Sequence, residues 1–465
     1  MKRTVVLFVL SVSALVAALL VPVYVIHGRI GPSPAPKPAP QPPPPLTSSD
    51  GSLTIRARPA RHSFLASGDS FPVVFEITAS RPADQQRRPV NLALVLDRSG
   101  SMTGEPLRKA KEAAKALVQR LTPEDRLAIV HFGSDAVTAL RLTPMDEDGR
   151  DAAARAIDRI EAAGGTNTSG GLSIAEADLA DADPHAIRRL ILLSDGEANE
   201  GLVGAGLVSF VRRQSDHGLR VSALGLGVDF DEDLMMKMAD AGGGQYRYLK
   251  DADEVASALT EELSEAAGTA ATNISLLLTH EDDVLFQDAA GLLHESEDGG
   301  WSIRLNDMAS GETRHVTLTL RAHTDGSGSV ELARARLTYD DVPAGYVHRV
   351  AEAAATATAT HDASEVARSY DREAARVALR ARWGTTMMDA ARQYRSNNPA
   401  AAIDVKNEAA KLAEEAKDAQ DDAFAQQIAD ESVRTVNAMA AAPSASSAGS
   451  AFRKSLATMG RSYAQ

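Results

Sequence analysis

The stretch Val90 to Ser101, VNLALVLDRSGS, constrains the fold of this chain more than any other. From Val90 to Leu96 only Asn91 is polar. Such a run is too continuous for a strand with one wet face and suits a central parallel strand covered on both sides. It stops at Asp97, after which Asp97, Ser99 and Ser101 alternate around Gly100 and Thr103-Gly104-Glu105-Pro106 opens a helix. Loops at the carboxyl ends of parallel strands are where open α/β sheets place ligands, and carboxylate and hydroxyl oxygens suit a hard cation such as Mg2+. The same residues are also ordinary turn and helix-cap chemistry, so this loop alone leaves both readings open.

Two later loops supply further oxygens. Gly164-Gly165-Thr166-Asn167-Thr168 precedes a helix, and the apolar run Leu190 to Leu193 leads into Ser194-Asp195-Gly196-Glu197. With these residues in place, the stretch from Pro89 to Ala267 resembles a von Willebrand factor type A (VWA) domain carrying a metal-ion-dependent adhesion site (MIDAS). The resemblance implies that Ser99, Ser101 and Thr166 are hydroxyl ligands and that Asp97 and Asp195 hold the metal directly or through water. It further implies Mg2+, or Mn2+ or Ca2+ in its place, with one coordination position open to an Asp or Glu carboxylate of a protein partner. Glu197 and Asn199 are candidates for the rim around that partner, or solvated loop residues.

Within this stretch, strand and helix patterns alternate. The periodicity predicts helices over 106–121, 150–162, 169–180, 202–217, 232–241 and 252–265, and strands over 126–132, 188–194, 220–225 and 245–249, with an edge strand over 136–142. The fold class expected is therefore α/β, a doubly wound and mostly parallel Rossmann-like sheet over residues 89–267. Alternating strand patterns lie before it, over 51–88, and after it, over 270–350. They predict one β-sandwich built from both segments with the VWA domain inserted, or two separate small β units. Residues 363–440, rich in alanine and charge and broken at Asn397-Asn398-Pro399, predict a helical region, and 441–465 a flexible tail.

The amino terminus reads differently. After Met1-Lys2-Arg3, residues 4–26 form an uncharged apolar run that would span about 35 Å as a helix, enough to cross a bilayer. We read it as a retained transmembrane anchor with Lys2 and Arg3 in the cytoplasm and the bulk of the chain outside, periplasmic or at the cell surface. A cleaved signal peptide is the alternative. Residues 31–50, with the proline run PSPAPKPAPQPPPP, form a semi-rigid spacer.

Composition narrows the function. The net charge of -14 over 465 residues lacks the basic footprint of a nucleic-acid binder, and zero cysteines exclude disulfides, thiolate zinc sites and cysteine nucleophiles. No HExxH, GxSxG or GxxxxGK[ST] pattern occurs. Gly225-Leu226-Gly227 lacks the third glycine of a dinucleotide fingerprint, and His131 reads as a core or surface histidine. A small-molecule cofactor and enzymatic activity are therefore not expected. The layout is similar to that of bacterial VWA proteins related to inter-alpha-trypsin inhibitor heavy chains and calcium-activated chloride channel regulators. The expected function is adhesion-type protein binding by a membrane-anchored protein; the alternative is an envelope assembly or regulatory scaffold with a structural metal and a partner-docking helical tail.

Overall fold

The strands of this chain fall into two groups separated by an α/β unit, and the outer groups find each other. In the computed structural model the described residues are 47–464, apart from 82–86, 181–186, 196, 227–229, 250, 251, 293, 298, 299, 397, 399, 443 and 445. The first group is β1 (Thr47–Asp50), β2 (Leu53–Pro59), β3 (Ser63–Leu65) and β4 (Asp69–Ala79). The expected anchor at 4–26 and most of the spacer at 31–50 lie outside the described residues. The spacer's last four residues are instead β1, paired antiparallel with β2. Among the described residues no helix is long and apolar enough to cross a membrane.

The apolar run becomes β5 (Val90–Asp97), buried along its whole length. It lies centrally in a six-stranded sheet with β6 (Arg126–Phe132), β7 (Ala136–Pro144), β8 (Ile187–Ser194), β9 (Arg220–Leu226) and β10 (Gly243–Leu249), in the order β10-β9-β8-β5-β6-β7. All neighbours are parallel except the β6–β7 pair. The connecting helices are α1 (Glu105–Val118), α2 (Glu147–Asp158), α3 (Thr168–Asp178), α4 (Gly204–Asp216), α5 (Glu232–Gly242) and α6 (Ala252–Ala267). Alternation along β5 splits its side chains between two cores: Leu92, Leu94 and Leu96 pack with α1 and α6, Ala93 and Val95 with α3, α4 and α5. Helix α1 buries Leu107, Ala110, Ala114 and Leu117 at the expected spacing. Helix α2 begins three residues earlier than expected because Asp146 caps it, accepting from the Gly149 N–H at 2.9 Å. β5 leads to β6 on one side and lies beside β8 on the other. The crevice at the carboxyl ends of β5 and β8 is therefore a topological switch point, the usual ligand position in such sheets.

The second group is β11 (Thr269–Thr279), β12 (Val284–Asp288), β13 (Glu295–Glu297), β14 (Gly300–Leu305), β15 (Met308–Ala309), β16 (Thr313–Ala322), β17 (Gly328–Asp341) and β18 (Val347–Thr360). Strands from before and after the α/β unit share sheets: β4 pairs with β16 over ten residues, and β3 runs parallel to β18. The five-stranded sheet β1-β2-β4-β16-β12 and the seven-stranded sheet β13-β14-β11-β17-β18-β3, whose seventh strand β15 also pairs with β11, contribute to one hydrophobic cluster, including Phe64, Phe75, Leu276 and Leu337. β18 reaches ten residues beyond the expected end at 350. Its alternation is carried by alanine and threonine, whose contrast in hydropathy is small.

The carboxyl-terminal helices are α7 (Ala363–Ala367), α8 (Arg372–Arg395), α9 (Ala400–Asp418), α10 (Asp422–Ala441) and α11 (Ser447–Ala464). The last one corrects the expected flexible tail at 441–465. Composition there is small and polar enough to read as linker, yet Gly460 allows α11 to lie directly on α8, where a Cβ would come within 2.7 Å of the Gly384 carbonyl oxygen. Trp383, Met387, Leu412, Ile428 and Leu456 form the core of this bundle, and Met236 of α5 packs against it.

Candidate metal centre

Parallel pairing brings the first and third loops together. Leu96 of β5 is in register with Leu193 of β8, so Asp97 emerges beside Ser194 and one residue short of Asp195. Asp97 is fully buried. Its Oδ1 accepts the Ser99 N–H at 2.8 Å and its Oδ2 accepts the Ser194 hydroxyl at 2.5 Å. The hydroxyls of Ser99 and Ser101 are 3.0 Å apart, and that of Ser101 donates to Asp195 Oδ1 at 2.8 Å. Four of the five expected ligands thus form one hydrogen-bonded chain.

Thr166 belongs to the second loop and is buried. Its N–H donates to Asn199 Oδ1 at 2.9 Å, and its carbonyl accepts from the Asn199 N–H at 3.1 Å. The first and second loops are joined by Gly100 N–H to Gly164 O at 3.0 Å and Ala163 N–H to Arg98 O at 2.7 Å. Gly165 permits the close approach of the third loop, since a Cβ there would lie 2.3 Å from Glu200 Oε1 and 3.1 Å from Asn199 Oδ1. Of the two rim candidates, Asn199 therefore ties two loops together. Glu197 is exposed and lies 3.9 Å from Arg395, at the end of α8. His131 is no part of the oxygen cluster; its Nδ1 accepts from Arg98 Nε at 2.9 Å, and burial followed by the Arg98 charge holds its pKa below the ordinary value.

The electrostatics of Asp97 provide a test of fit for a cation. Burial pushes its carboxyl above the ordinary range, and hydrogen bonds from Ser194 and Ser99 only partly offset this. Among the described residues no ion pair reaches it, and the donors that hold it, the Ser99 N–H and the Ser194 hydroxyl, are neutral. A buried carboxylate with neutral donors only is unfavourable unless a cation joins it. The donor set is entirely oxygen and, among the described residues, no group of three His, Cys, Asp or Glu side chains is placed to hold a metal. Two carboxylates and three hydroxyls fit Mg2+ better than zinc.

Sequence reasoning missed two participants. Ser194 was visible only as the last residue of an apolar run, and its role follows from the β5–β8 register. Arg395 lies some two hundred residues beyond the third loop, and no local pattern connects it with Asp231, 3.1 Å away, or Glu197.

Fold and site together define an open α/β domain with an oxygen-lined crevice at its switch point. Residues 91–264 match the model of the von Willebrand factor type A domain, and the chain contains such a domain. An uncharacterized protein of Synechocystis sp. is 27% identical over 289 residues, covering 59% of this chain and 67% of that protein. The uncharacterized protein YfbK of Escherichia coli is 30% identical over 203 residues, 43% of this chain and 35% of that one. Inter-alpha-trypsin inhibitor heavy chain H4 of Bos taurus is 28% identical over 195 residues, so this chain spans 21% of its length. Among solved structures, von Willebrand factor type A from Catenulispora acidiphila superposes with a TM-score of 0.63 at 19% identity, covering 82% of this chain and 91% of that one. The ArnB paralog VWA2 from Sulfolobus acidocaldarius gives 0.56 at 14% identity, covering 89% and 99%. These likenesses extend the shared fold well beyond the VWA domain.

Proposed function

We propose that this chain is an adhesion-type binding protein, anchored in a membrane by residues 4–26 with its bulk outside the cytoplasm. Its VWA domain captures a protein partner through a divalent cation, Mg2+ first, held by Asp97, Ser99, Ser101, Thr166 and Asp195. The observation that carries this reading is Asp97, a fully buried carboxylate with neutral donors, joined through Ser99 and Ser101 to a second carboxylate at Asp195. When bound, the cation supplies a positive point at which an Asp or Glu of the partner completes the coordination. The chain's own residues do the rest. Ser99 and Ser194 orient the Asp97 carboxylate, Ser101 sets the distance to Asp195, and Asn199 keeps the Thr166 loop against the other two. Because the protein as a whole is acidic, attraction for a partner carboxylate is confined to this point and is not a property of the wider surface. The arrangement supports binding without bond breaking.

The two outer sheets form one β-sandwich carrying the VWA domain as an insertion, a reading supported by the β4–β16 pairing and the shared cluster. The proline-rich spacer would hold this body away from the membrane.

The test is calorimetric titration of Mg2+, Mn2+ and Ca2+ into the metal-stripped full-length protein, with Asp97→Ala alongside. Saturable binding that disappears in the variant is expected. Equal binding by both proteins would refute the assignment.

A further inference from the structure

Behind the metal loops a line of contacts runs from the last helix to Asp97. Lys454 of α11 is fully buried. Its ammonium donates to the Phe230 carbonyl at 2.6 Å, lies 3.1 Å from the centre of the Phe230 ring and 3.9 Å from Glu232 Oε2. Its neighbour Arg453 is 2.5 Å from Glu232 Oε1, and Arg461 pairs with Asp240. α11 is therefore pinned to the start and the end of α5. The Phe230 ring in turn fills the space above Gly225, where a Cβ would lie 2.2 Å from the ring's Cζ. Gly225 is in register with Ser194 on the neighbouring strand, and Ser194 donates to Asp97 Oδ2.

A lysine in this place needs an account. Withdrawing an ammonium from water costs several kcal/mol, and an unbranched apolar side chain would pack on Phe230 without that cost. What the ammonium adds is direction, since it holds the backbone and the ring of one residue at once. We propose that α11 is a positioning element of the metal site: Lys454 fixes Phe230, Phe230 fixes the Gly225–Ser194 contact, and the Ser194 hydroxyl fixes the Asp97 carboxylate for the cation. This inference rests on the metal reading above and makes α11 a part of the binding apparatus, although none of its described side chains touches the oxygen cluster.

The experiment is Mg2+ titration into the full-length protein and its variants Lys454→Met, Ser194→Ala, Ser194→Thr and Lys454→Met/Ser194→Ala, each read well below its own melting temperature. Residues that orient metal ligands typically contribute about 10- to 100-fold to affinity, so Ser194→Ala is expected to weaken Mg2+ about 10-fold and Lys454→Met about fivefold. Ser194→Thr, which keeps the hydroxyl, restores binding. The double variant binds no more weakly than Ser194→Ala, because both act through one hydroxyl. Lys454→Met at wild-type affinity overturns the inference, and so do effects that multiply in the double variant. Tighter binding by Lys454→Met also overturns it, since the buried charge would then act on the cation directly. If Lys454→Met does not fold, Lys454→Gln takes its place with the same criteria. Wild-type protein that binds no Mg2+ removes the metal reading and this inference with it, whereas wild-type binding with unaffected variants removes only the latter.

Discussion

The position of Asp97 depends on how β5 begins, and the residue that fixes that beginning is Asp125. Its side chain is fully buried and accepts five hydrogen bonds: from Arg87 Nη1 at 2.8 Å and Nη2 at 2.6 Å, from the N–H of Val90 at 2.9 Å, and from the N–H and hydroxyl of Thr122 at 2.7 and 3.1 Å. Asp125→Ala would break all five. Arg87 is 36% exposed and regains water, so its pair contributes about 1 kcal/mol at most. The two backbone N–H groups decide the outcome, because a donor left without a partner costs about 1–3 kcal/mol when buried, as at Val90, and about the lower end of that range at the half-buried Thr122. The loss expected is about 3–5 kcal/mol of local stability. Burial raises the Asp125 carboxyl, but Arg87 and the Thr122 and Val90 N–H groups outweigh this and hold it below its ordinary value. A depressed acid contributes stability that is present above its unfolded pKa, about 3.9, and is lost as pH falls through its folded pKa. A chain with several separate cores need not unfold in one step. The assay is therefore hydrogen exchange of the Val90 and Thr122 amides, with urea titration at pH 3 to 7. Protection should fall by about two orders of magnitude or more in the variant, and the acid-side loss of stability should shrink. Unchanged exchange at Val90 would show that the strand is positioned by its cores alone.

Three further outcomes follow from the same geometry. Without metal, Asp97→Asn should be more stable than the parent at pH 7, because a raised carboxyl pKa means stability is lost as pH rises through it; melting curves with and without Mg2+ should show a higher midpoint for the metal-free variant and no response of the variant to the ion. Leu94→Ala removes a fully buried side chain from the central strand and should cost about 2–5 kcal/mol, read as a lower urea midpoint. Arg220 and Asp307 are both buried and 2.7 Å apart, so Arg220→Ala should cost about 3–5 kcal/mol, while replacing both by apolar residues of similar volume should cost less by the same denaturation assay.

The VWA domain was legible because its signals are local. An apolar run long enough to be doubly covered ends in alternating oxygens, and helices with one apolar face recur between strands; each fact needs only a dozen residues to see. The five candidate ligands were legible for the same reason, each lying at a strand end or helix start. β18 was missed because alanine at inward positions of β18, from Ala351 to Ala359, gives little contrast with threonine, and pairing with β17 on one side and β3 on the other settles its conformation. α11 was missed because its glycine and serine content matches that of a linker; what makes it a docked helix is Gly384 on another helix and Phe230 on another domain. Non-local causes left no trace in the stretch that responds to them.

Those non-local contacts bear on how far the VWA domain acts by itself. β8 and β9 lead at their carboxyl ends to the third loop of the candidate site and to Phe230. At their amino ends, Arg189 and Arg220 converge on Asp307 from the loop before β15, and Arg220 also donates to Asn273 of β11 at 2.6 Å. At the other ends, α11 grips Phe230 and Glu232. The two strands are thus held at both poles by segments that follow the domain in sequence. A fragment ending at residue 267 would keep every candidate ligand and lose both grips, leaving Arg189 and Arg220 without Asp307. The candidate metal ligands all lie within the VWA sequence, but the frame that keeps their third loop in place is supplied by the rest of the chain.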